Sequence, residues 1–442
     1  MFGDGLTDEV IESLGQVPGL QVVARTSAFQ FKGKSLDIRD VGRRLNVRHV
    51  LEGSIRKSGN RLRITAELAD TQNGYRIWSK TYDRELDDSL TIQHELAQAI
   101  ALALGVELAN KTAGIQNART ASTFEGYNDY LKGRYFLHKR TPENINIAMG
   151  FFRRAIEKSP EYALAYTGLA DCYASLPIYS ASSGLDVIPE IRAAAQKALE
   201  LDSTLAEAHL DLAVAYEYDF EWRSADREFK TALQLSPGSA EVHQVYAGYL
   251  SKIGRPADGV AERKIAFELD PVSPEAAQGL ARSMYWLRYY DGAVKQYQLA
   301  LSLDPNFGLS HQGLGSTYIH KGMYTEGLKE LTRALGLMEH GPFANAELGY
   351  GYALSGDTSA AKNILNQLIR QSQTHPLPPV AFAPIYIGLG DKDDAFDALR
   401  KSIDRHDVNL QLTSDPIYDS LHSDPRFSEL LRRMSLPFVQ SQ

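Results

Sequence analysis

Two rows of polar residues recur at a fixed spacing between residues 207 and 312 and could bind a peptide. The glutamines lie 34 residues apart, at Gln244, Gln278 and Gln312, and the glutamates share that spacing, at Glu207, Glu241 and Glu275. Amide groups can hydrogen-bond an extended peptide backbone, and carboxylates favour a basic ligand. The alternative for both rows is structural; Ser273-Pro-Glu275, for example, is a helix start, where an acid compensates the helix dipole. The sequence leaves both interpretations open.

The sequence lacks the residue patterns that support catalysis or metal binding. It contains no Gly-x-x-x-x-Gly-Lys-Ser/Thr loop, no His-Glu-x-x-His motif and no Gly-x-Ser-x-Gly motif. The 11 histidines are scattered without ligand spacing. The single cysteine, Cys172, lies next to Tyr173 on a predicted packed helix, which favours a core thiol over a nucleophile. We therefore expect no catalytic residue, no metal and no cofactor.

A group of basic and aromatic residues lies in the predicted hairpins of the first part. It consists of Arg56, Arg61, Arg63, Arg76 and Lys80, close to Trp78 and Tyr82. Such a face could contact single-stranded nucleic acid. A solvated sheet face with charge pairs to Glu52 and Glu67 is the favoured interpretation. The whole chain has 47 lysines and arginines against 55 acids, a net charge of −8, so we expect no nucleic-acid partner.

The elements that must position the glutamine and glutamate rows repeat with the same 34-residue period. Small residues recur in two series, at Ala213, Ala247, Ala281, Gly315 and Gly349, and at Ala225, Gly259, Ala293, Gly327 and Ala361. Two short helices can pack closely only where small side chains lie between them, with large apolar residues filling the remaining gaps. One helix pair cannot bury its apolar face alone, so the pairs must stack into a superhelix.

This pattern resembles the tetratricopeptide repeat. The resemblance implies a right-handed superhelix of about eight helix pairs between about residues 127 and 405, with the two polar rows lining its concave groove. We place further exposed binding residues in that groove, namely Arg282, Tyr285, Trp286 and His320. The second unit is longer than the others, which predicts an extended loop near residues 176–184. Asp424-Pro425 predicts a C-terminal capping helix.

The first part of the chain predicts a small α/β domain. Helical spacing covers residues 8–14 and 36–45, and a short apolar run at 20–24 predicts a buried strand. Alternating apolar residues at 62–68 predict a half-buried strand, flanked by strands at 49–55 and 75–82, with an Asn73-Gly74 turn before the last of these. A helix from about residue 90 to 108 closes the domain.

Residues 3–109 resemble the TolB amino-terminal-like α/β domain that precedes tetratricopeptide arrays in bacteria. Motifs that carry the resemblance include Asp4-Gly-Leu-Thr7, Phe31-Lys-Gly-Lys34 and Val50-Leu-Glu-Gly-Ser-Ile-Arg56. That domain normally opens with a strand before the first motif, so the sheet is expected to lack one strand. The expected organisation is an α/β domain at 1–109, a linker at 110–124 and, at 125–436, a tetratricopeptide superhelix with its capping helix.

Two functions remain open. The first is a non-catalytic scaffold or regulatory module of a bacterial signalling or transcription-control system, with a net-basic, extended protein or peptide segment in the groove. The second, implied by the resemblance, is the regulatory portion of a class III adenylate cyclase or another signalling enzyme whose catalytic domain lies outside this chain. No stretch reaches the roughly 20 apolar residues of a membrane-spanning helix. We expect a cytoplasmic protein, or a periplasmic one if a membrane anchor lies upstream; the oligomeric state stays open.

Overall fold

A small sheet with three helices precedes a long series of helix pairs in the computed structural model of the chain. The described residues are 2–15, 17, 20–58, 61–85, 95–96, 99–100, 103–104, 124–180, 182–338 and 342–436. The predicted linker at 110–124 lies outside them except for Phe124, as does most of the predicted helix at 90–108. Leu96 and Ile100 from that helix are described, and both are buried against the sheet.

The first part contains helices α1 (Phe2–Gly15), α2 (Arg25–Phe29) and α3 (Ile38–Leu45) and strands β1 (His49–Ser58), β2 (Arg61–Asp70) and β3 (Arg76–Glu85). The strands form an antiparallel sheet in the order β1-β2-β3. The alternation predicted for β2 is confirmed, because its even-numbered residues from Leu62 to Leu68 are buried. The side chains of Ile64, Ala66 and Leu68 share one core with residues of α1, namely Leu6, Val10 and Leu14.

The strand predicted at residues 20–24 is wrong, because this segment has no strand structure. Its backbone hydrogen-bonds outside the sheet: the Ala24 amide donates to the Leu269 carbonyl at 2.7 Å. The neighbouring Ser27 amide donates to Asp270 Oδ1 at 2.9 Å, and the Ser27 hydroxyl accepts from the Val272 amide. The apolar run therefore serves to dock the first part on the helix pairs.

Eight helix pairs follow among the described residues, which confirms the predicted number; we call them units 1–8. The first helices are α4 (Phe124–Leu137), α6 (Ala163–Tyr179), α8 (Ala206–Tyr218), α10 (Ala240–Lys252), α12 (Pro274–Trp286), α14 (Gly308–His320), α16 (Pro342–Leu354) and α18 (Ala383–Leu389). The second helices are α5 (Pro142–Lys158), α7 (Gly184–Leu201), α9 (Trp222–Leu235), α11 (Pro256–Leu269), α13 (Tyr290–Leu303), α15 (Tyr324–Leu337), α17 (Thr358–Thr374) and α19 (Lys392–Asp404). They form a tetratricopeptide superhelix.

The small residues lie where the two helices of a unit cross. Ala213, Ala247 and Ala281 are fully buried. In unit 6 a Cβ on Gly315 would come within 2.9 Å of the Gly327 carbonyl oxygen, and the reverse distance is the same. A side chain at either position would force the two helices apart, which explains the two series of small residues.

The extra residues of unit 2 lengthen its helices. α6 and α7 have 17 and 18 residues, whereas α8 and α10 have 13 each. Only residues 180–183 separate the two long helices, so the extended loop predicted at 176–184 is wrong. A reciprocal capping box between Ser183 and Asp186 starts α7 directly after the turn.

The chain continues beyond unit 8 into residues 405–436, which we call the C-terminal segment. It contains a 3-10 helix (Pro416–Leu421) and the predicted capping helix, α20 (Pro425–Arg433), whose N-cap Asp424 accepts a hydrogen bond from the Arg426 amide. The segment returns across the array: the Trp222 indole N–H of unit 3 donates to the Met434 carbonyl at 2.6 Å. Its residues Leu410, Leu412 and Leu421 are buried in one core with residues of units 3, 4 and 6 to 8.

Candidate binding groove

The first helices of the units form an inner surface that curves back on itself, and we call it the inner groove. The first helices of successive units pack beside one another and line this surface. The ten predicted binding residues lie on these first helices, but the structure divides them into groups with different surroundings.

Carboxyl groups from units 2 to 4 and from α1 gather in one part of the inner groove, which we call the acidic pocket. Its acids are Asp171 on α6, Glu207 and Asp211 on α8, Glu241 on α10 and Glu12 on α1. Arg134 on α4 is the cation beside them, 3.2 Å from Glu12 and 3.7 Å from Asp171. The Asp171 side chain keeps 28% of its surface exposed, so water still reaches the pocket.

Burial and mutual repulsion keep protons on several of these acids. Desolvation, together with Glu241 and Glu207, raises the pKa of Asp171 to about 7 against the pull of Arg134. Desolvation and the neighbouring Asp171 raise the pKa of Asp211 well above its usual value. The two carboxyl groups lie close enough to affect each other's pKa, and the repulsion between two neighbouring carboxylates favours a proton held by the pair. Oε2 of Glu207 is buried without a hydrogen-bond partner.

The third glutamate of the row, Glu275, is not among the acids of the acidic pocket. Glu275 accepts a hydrogen bond from the Ser273 hydroxyl at the start of α12. It therefore takes the helix-start position that the sequence offered as the alternative. The glutamine row is also divided: Gln244 is half-buried on α10, Gln278 is 8% exposed, and Gln312 donates to Glu347 Oε1 at 2.8 Å.

The C-terminal segment covers the middle of the inner groove. Tyr285 and Trp286 are 5% and 6% exposed, so the expectation that they are open to a partner is wrong. Tyr285 donates to Asp415 Oδ1 at 3.3 Å. His320 lies edge-on against the Tyr285 ring, and its Nδ1 is 3.0 Å from the Ser316 carbonyl. No motif or spacing in the sequence indicated that the chain fills its own groove.

Backbone conformation shows how the C-terminal segment is held. The turn between the two helices of a unit contains a left-handed residue every 34 positions, at Phe220, Gly254, Arg288, Gly322, Gly356 and Gly390. Four are glycines, as this conformation favours. The two others contact the C-terminal segment. Phe220 stacks on His406 at 4.4 Å, and Arg288 binds the Asp419 carboxylate and the Ser414 carbonyl.

A histidine–glutamate hydrogen bond recurs in several units, and the sequence analysis did not predict it. In units 3, 4 and 6 a histidine on the first helix bonds a glutamate 19 residues later, in the pairs His209–Glu228, His243–Glu262 and His311–Glu330. The second ring nitrogen of each histidine faces a backbone carbonyl in the preceding loop. From unit 3 to unit 4 the histidine recurs after 34 residues, and so does the glutamate. This recurrence was the signal in the sequence that could have revealed the pairs. These pairs fasten the helices of a unit together, and they explain three of the histidines without a ligand.

The other candidate residues have structural surroundings. Arg76 pairs with Glu67 at 2.6 Å and Arg63 with Asp83 at 2.5 Å across the sheet, while Tyr82 is 1% exposed. This supports the solvated sheet face with charge pairs. Cys172 is a free, fully buried thiol. Within the described residues no group of three or more His, Cys, Asp or Glu could hold a metal ion.

The described helices include none that is both long and apolar enough to cross a membrane.

Curated relatives match parts of the chain, while no protein-family model matches it. A Rhizobium meliloti protein named "Putative adenylate cyclase 3" is 33% identical over 225 residues, which is 49% of this chain and 37% of that protein. The transcriptional regulator HilA of Salmonella typhimurium is 28% identical over 126 residues, 28% of this chain and 23% of HilA. The chain thus spans well under half the length of these two relatives.

Solved structures share the helical-repeat fold. A monomeric mutant of IFIT1 with m7Gppp-AAAA aligns over 78% of this chain and 79% of its own, with a TM-score of 0.51 and 13% identity. YrrB, described as a TPR protein with an unusual peptide-binding site, covers 43% of this chain and 93% of its own, with a TM-score of 0.31 and 24% identity. At 13% identity the likeness to IFIT1 concerns the fold alone.

Proposed function

We propose that the chain is a non-catalytic binding module that takes a net-basic, extended segment of a protein partner in the acidic pocket of the inner groove. The observation that carries this proposal is the excess of carboxyl groups over cations in that pocket, where Arg134 faces five acids from four helices. A lysine or arginine side chain entering the pocket would replace repulsion between carboxylates by attraction. Glu207, Glu241 and Gln244 are the predicted residues that we retain as contacts.

A titration with a lysine-rich, unstructured peptide tests this function. Glu207→Gln combined with Glu241→Gln removes charge while keeping the side-chain shape, and we expect binding to weaken about tenfold, with a shallower salt dependence. Glu268→Gln provides the matched control, because Glu268 is exposed on the second helix of unit 4. Equal binding by the double variant and the parent would refute the acidic pocket as the recognition site.

The second candidate is a regulatory portion of a signalling enzyme or transcription regulator. It is supported by partial similarity to a protein named as an adenylate cyclase and to a transcriptional regulator. The sequence of the native gene upstream of Met1 tests it. An in-frame cyclase, kinase or winged-helix region there would support this role, and a stop codon directly upstream would contradict it.

A further inference from the structure

Two arginines meet between the second helix of unit 4 and the first helix of unit 5 without a counterion. Arg263 on α11 is 4% exposed, and its Nε and Nη1 are buried without a hydrogen-bond partner. Arg282 on α12 is half-buried, and its Nε is likewise buried and unpartnered. Among the described residues neither guanidinium forms an ion pair; Arg282 lies 5.1 Å from the Trp286 ring as its aromatic contact.

The position of Arg263 is apolar in neighbouring units. The residues at the equivalent position, 34 residues apart, are Phe229 in unit 3, Tyr297 in unit 5 and Leu331 in unit 6. All three are buried in the core. Gly279 on α12 makes room for the arginine, because any side chain there would collide with its guanidinium. A buried cation in place of a core side chain costs several kcal/mol unless an anion compensates it.

The nearest acids of the chain are committed to other partners. Glu347 on α16 accepts from the Ser316 hydroxyl and from the Gln312 amide. Desolvation raises its pKa to about 7, which further weakens it as a counterion. Asp415 accepts from the Tyr285 hydroxyl and from the Ile417 amide. Neither acid lies within ion-pair distance of Arg282, although both act on it electrostatically.

Burial and mutual repulsion disfavour the charges of both arginines in this arrangement. Desolvation, with a contribution from Arg282, lowers the pKa of Arg263 to about 9. Desolvation also lowers the pKa of Arg282. An anion between the two groups would reverse both effects, since it would attract each guanidinium and accept its free N–H groups.

We propose that Arg263 and Arg282 form a binding site for a phosphate group, either as the free ion or as a small phosphate monoester. Two guanidinium charges match the charge of about −2 that a phosphate group carries near neutral pH, whereas one carboxylate would neutralise only half of them. Planar guanidinium groups also bind phosphate oxygens in pairs. Arg282 remains partly exposed to the inner groove, which gives a small ligand access. This site is separate from the acidic pocket.

Titration of the full chain with inorganic phosphate tests this proposal, with sodium acetate and sodium chloride at equal ionic strength as comparisons. We expect phosphate alone to raise the melting temperature, by about 2 °C or more at saturation. Phenyl phosphate in a parallel titration distinguishes a site for the free ion from one for an ester. Binding of either phosphate supports the proposal. Equal shifts with all anions would show general screening and overturn it, as would the absence of any shift.

Variants locate the effect. Arg263→Leu restores an apolar residue at the phase of Leu331, so we expect an equal or higher basal melting temperature and no response to phosphate. Lys264→Gln is the matched control, because it removes an exposed cation one residue away, and it should keep the full response. Arg282→Gln, at a partly exposed position, should weaken calorimetric phosphate affinity at least tenfold even if Arg263→Leu folds poorly. An undiminished response in the Arg282 variant would overturn the proposal.

Discussion

The inner groove has two regions with contrasting polar chemistry. In units 2 to 4, Asp171, Glu207 and Asp211 lie close together, burial and repulsion raise the pKa of both aspartates, and water still reaches Asp171. In the middle of the groove, polar side chains bond specific partners in the C-terminal segment, such as Asp415 for Tyr285 and the Val408 carbonyl for Lys252. The comparison separates a surface that the chain itself already covers from a pocket with an excess of carboxyl groups, and the second offers binding free energy to a cationic side chain.

The largest effect is expected where the groove is filled. Leu421→Ala removes a fully buried side chain of the C-terminal segment from the core shared with units 3, 4 and 6 to 8. Such a cavity costs about 2–5 kcal/mol of unfolding free energy. The denaturant midpoint measures the loss. Leu354→Ala, at a leucine that is 40% exposed on α16, should change the stability by less than about 0.5 kcal/mol. Similar small losses in both variants would mean that the segment does not hold the groove closed.

The acidic pocket should make stability depend on pH in a defined direction. The folded-state pKa of Asp171 is about 7 and that of Asp211 is also raised, both above the value of 3.8 for an unperturbed aspartate. The folded state therefore binds more protons, and stability falls as the pH rises from about 4 through about 7. Asp171→Asn with Asp211→Asn should recover about 1–3 kcal/mol at pH 8 relative to the parent, and less at about pH 5.5.

Melting temperatures between about pH 5.5 and 8 measure this slope. The double variant should retain a residual slope, since the pKa of Glu347 is also raised to about 7. Asp424→Asn is the control, because Arg426 lowers the pKa of Asp424 to about 2. Asp424 is therefore fully ionised between about pH 5.5 and 8, and its replacement should leave the slope of stability against pH unchanged. A parent protein whose stability rises between these pH values would contradict a proton-sharing pocket.

The two regions also differ in how far the sequence predicts them. The packing phases repeat every 34 residues, so the unit number and helix crossings follow from residues such as Ala213 and Ala247. The distinctive groove residues are those that break the repeat. One phase reads Asp211, Val245, Gly279, Gly313 and Glu347, and only its two ends are acidic. A search for residue types that recur every 34 positions does not find these two acids. Their charges, at a position of the repeat that is otherwise uncharged, were nevertheless visible in the sequence.

The 34-residue repeat does not predict the contacts that join distant parts of the chain. Residues 20–24 are as apolar as a buried strand, yet Ala24 bonds Leu269, almost 250 positions away. The C-terminal segment likewise follows no repeat, so its return to Trp222 could not be read from spacing. Local propensity predicted α20 and its cap, but which surface a capping helix covers depends on tertiary packing.

The smallest expected effect tests the left-handed turn residues that hold the C-terminal segment. Phe220, with φ of 58°, stacks on His406 and on Trp222, whereas Arg140, with φ of 52° in the turn of unit 1, is exposed. Glycine relieves the backbone strain at both positions, worth about 1 kcal/mol, but also gives the unfolded chain more freedom. At Phe220 it additionally removes two ring contacts of about 0.5–1.5 kcal/mol each.

Phe220→Gly should therefore lower the unfolding free energy by about 1 kcal/mol, while Arg140→Gly should leave it unchanged or raise it by up to about 1 kcal/mol. Both substitutions change the backbone in the same way, so a difference in the sign of the two free-energy changes reports the ring contacts of Phe220. If both variants shift the denaturant midpoint in the same direction, the ring contacts of Phe220 add little. The closed part of the groove would then depend on the buried leucines of the C-terminal segment and on the Arg288–Asp419 pair.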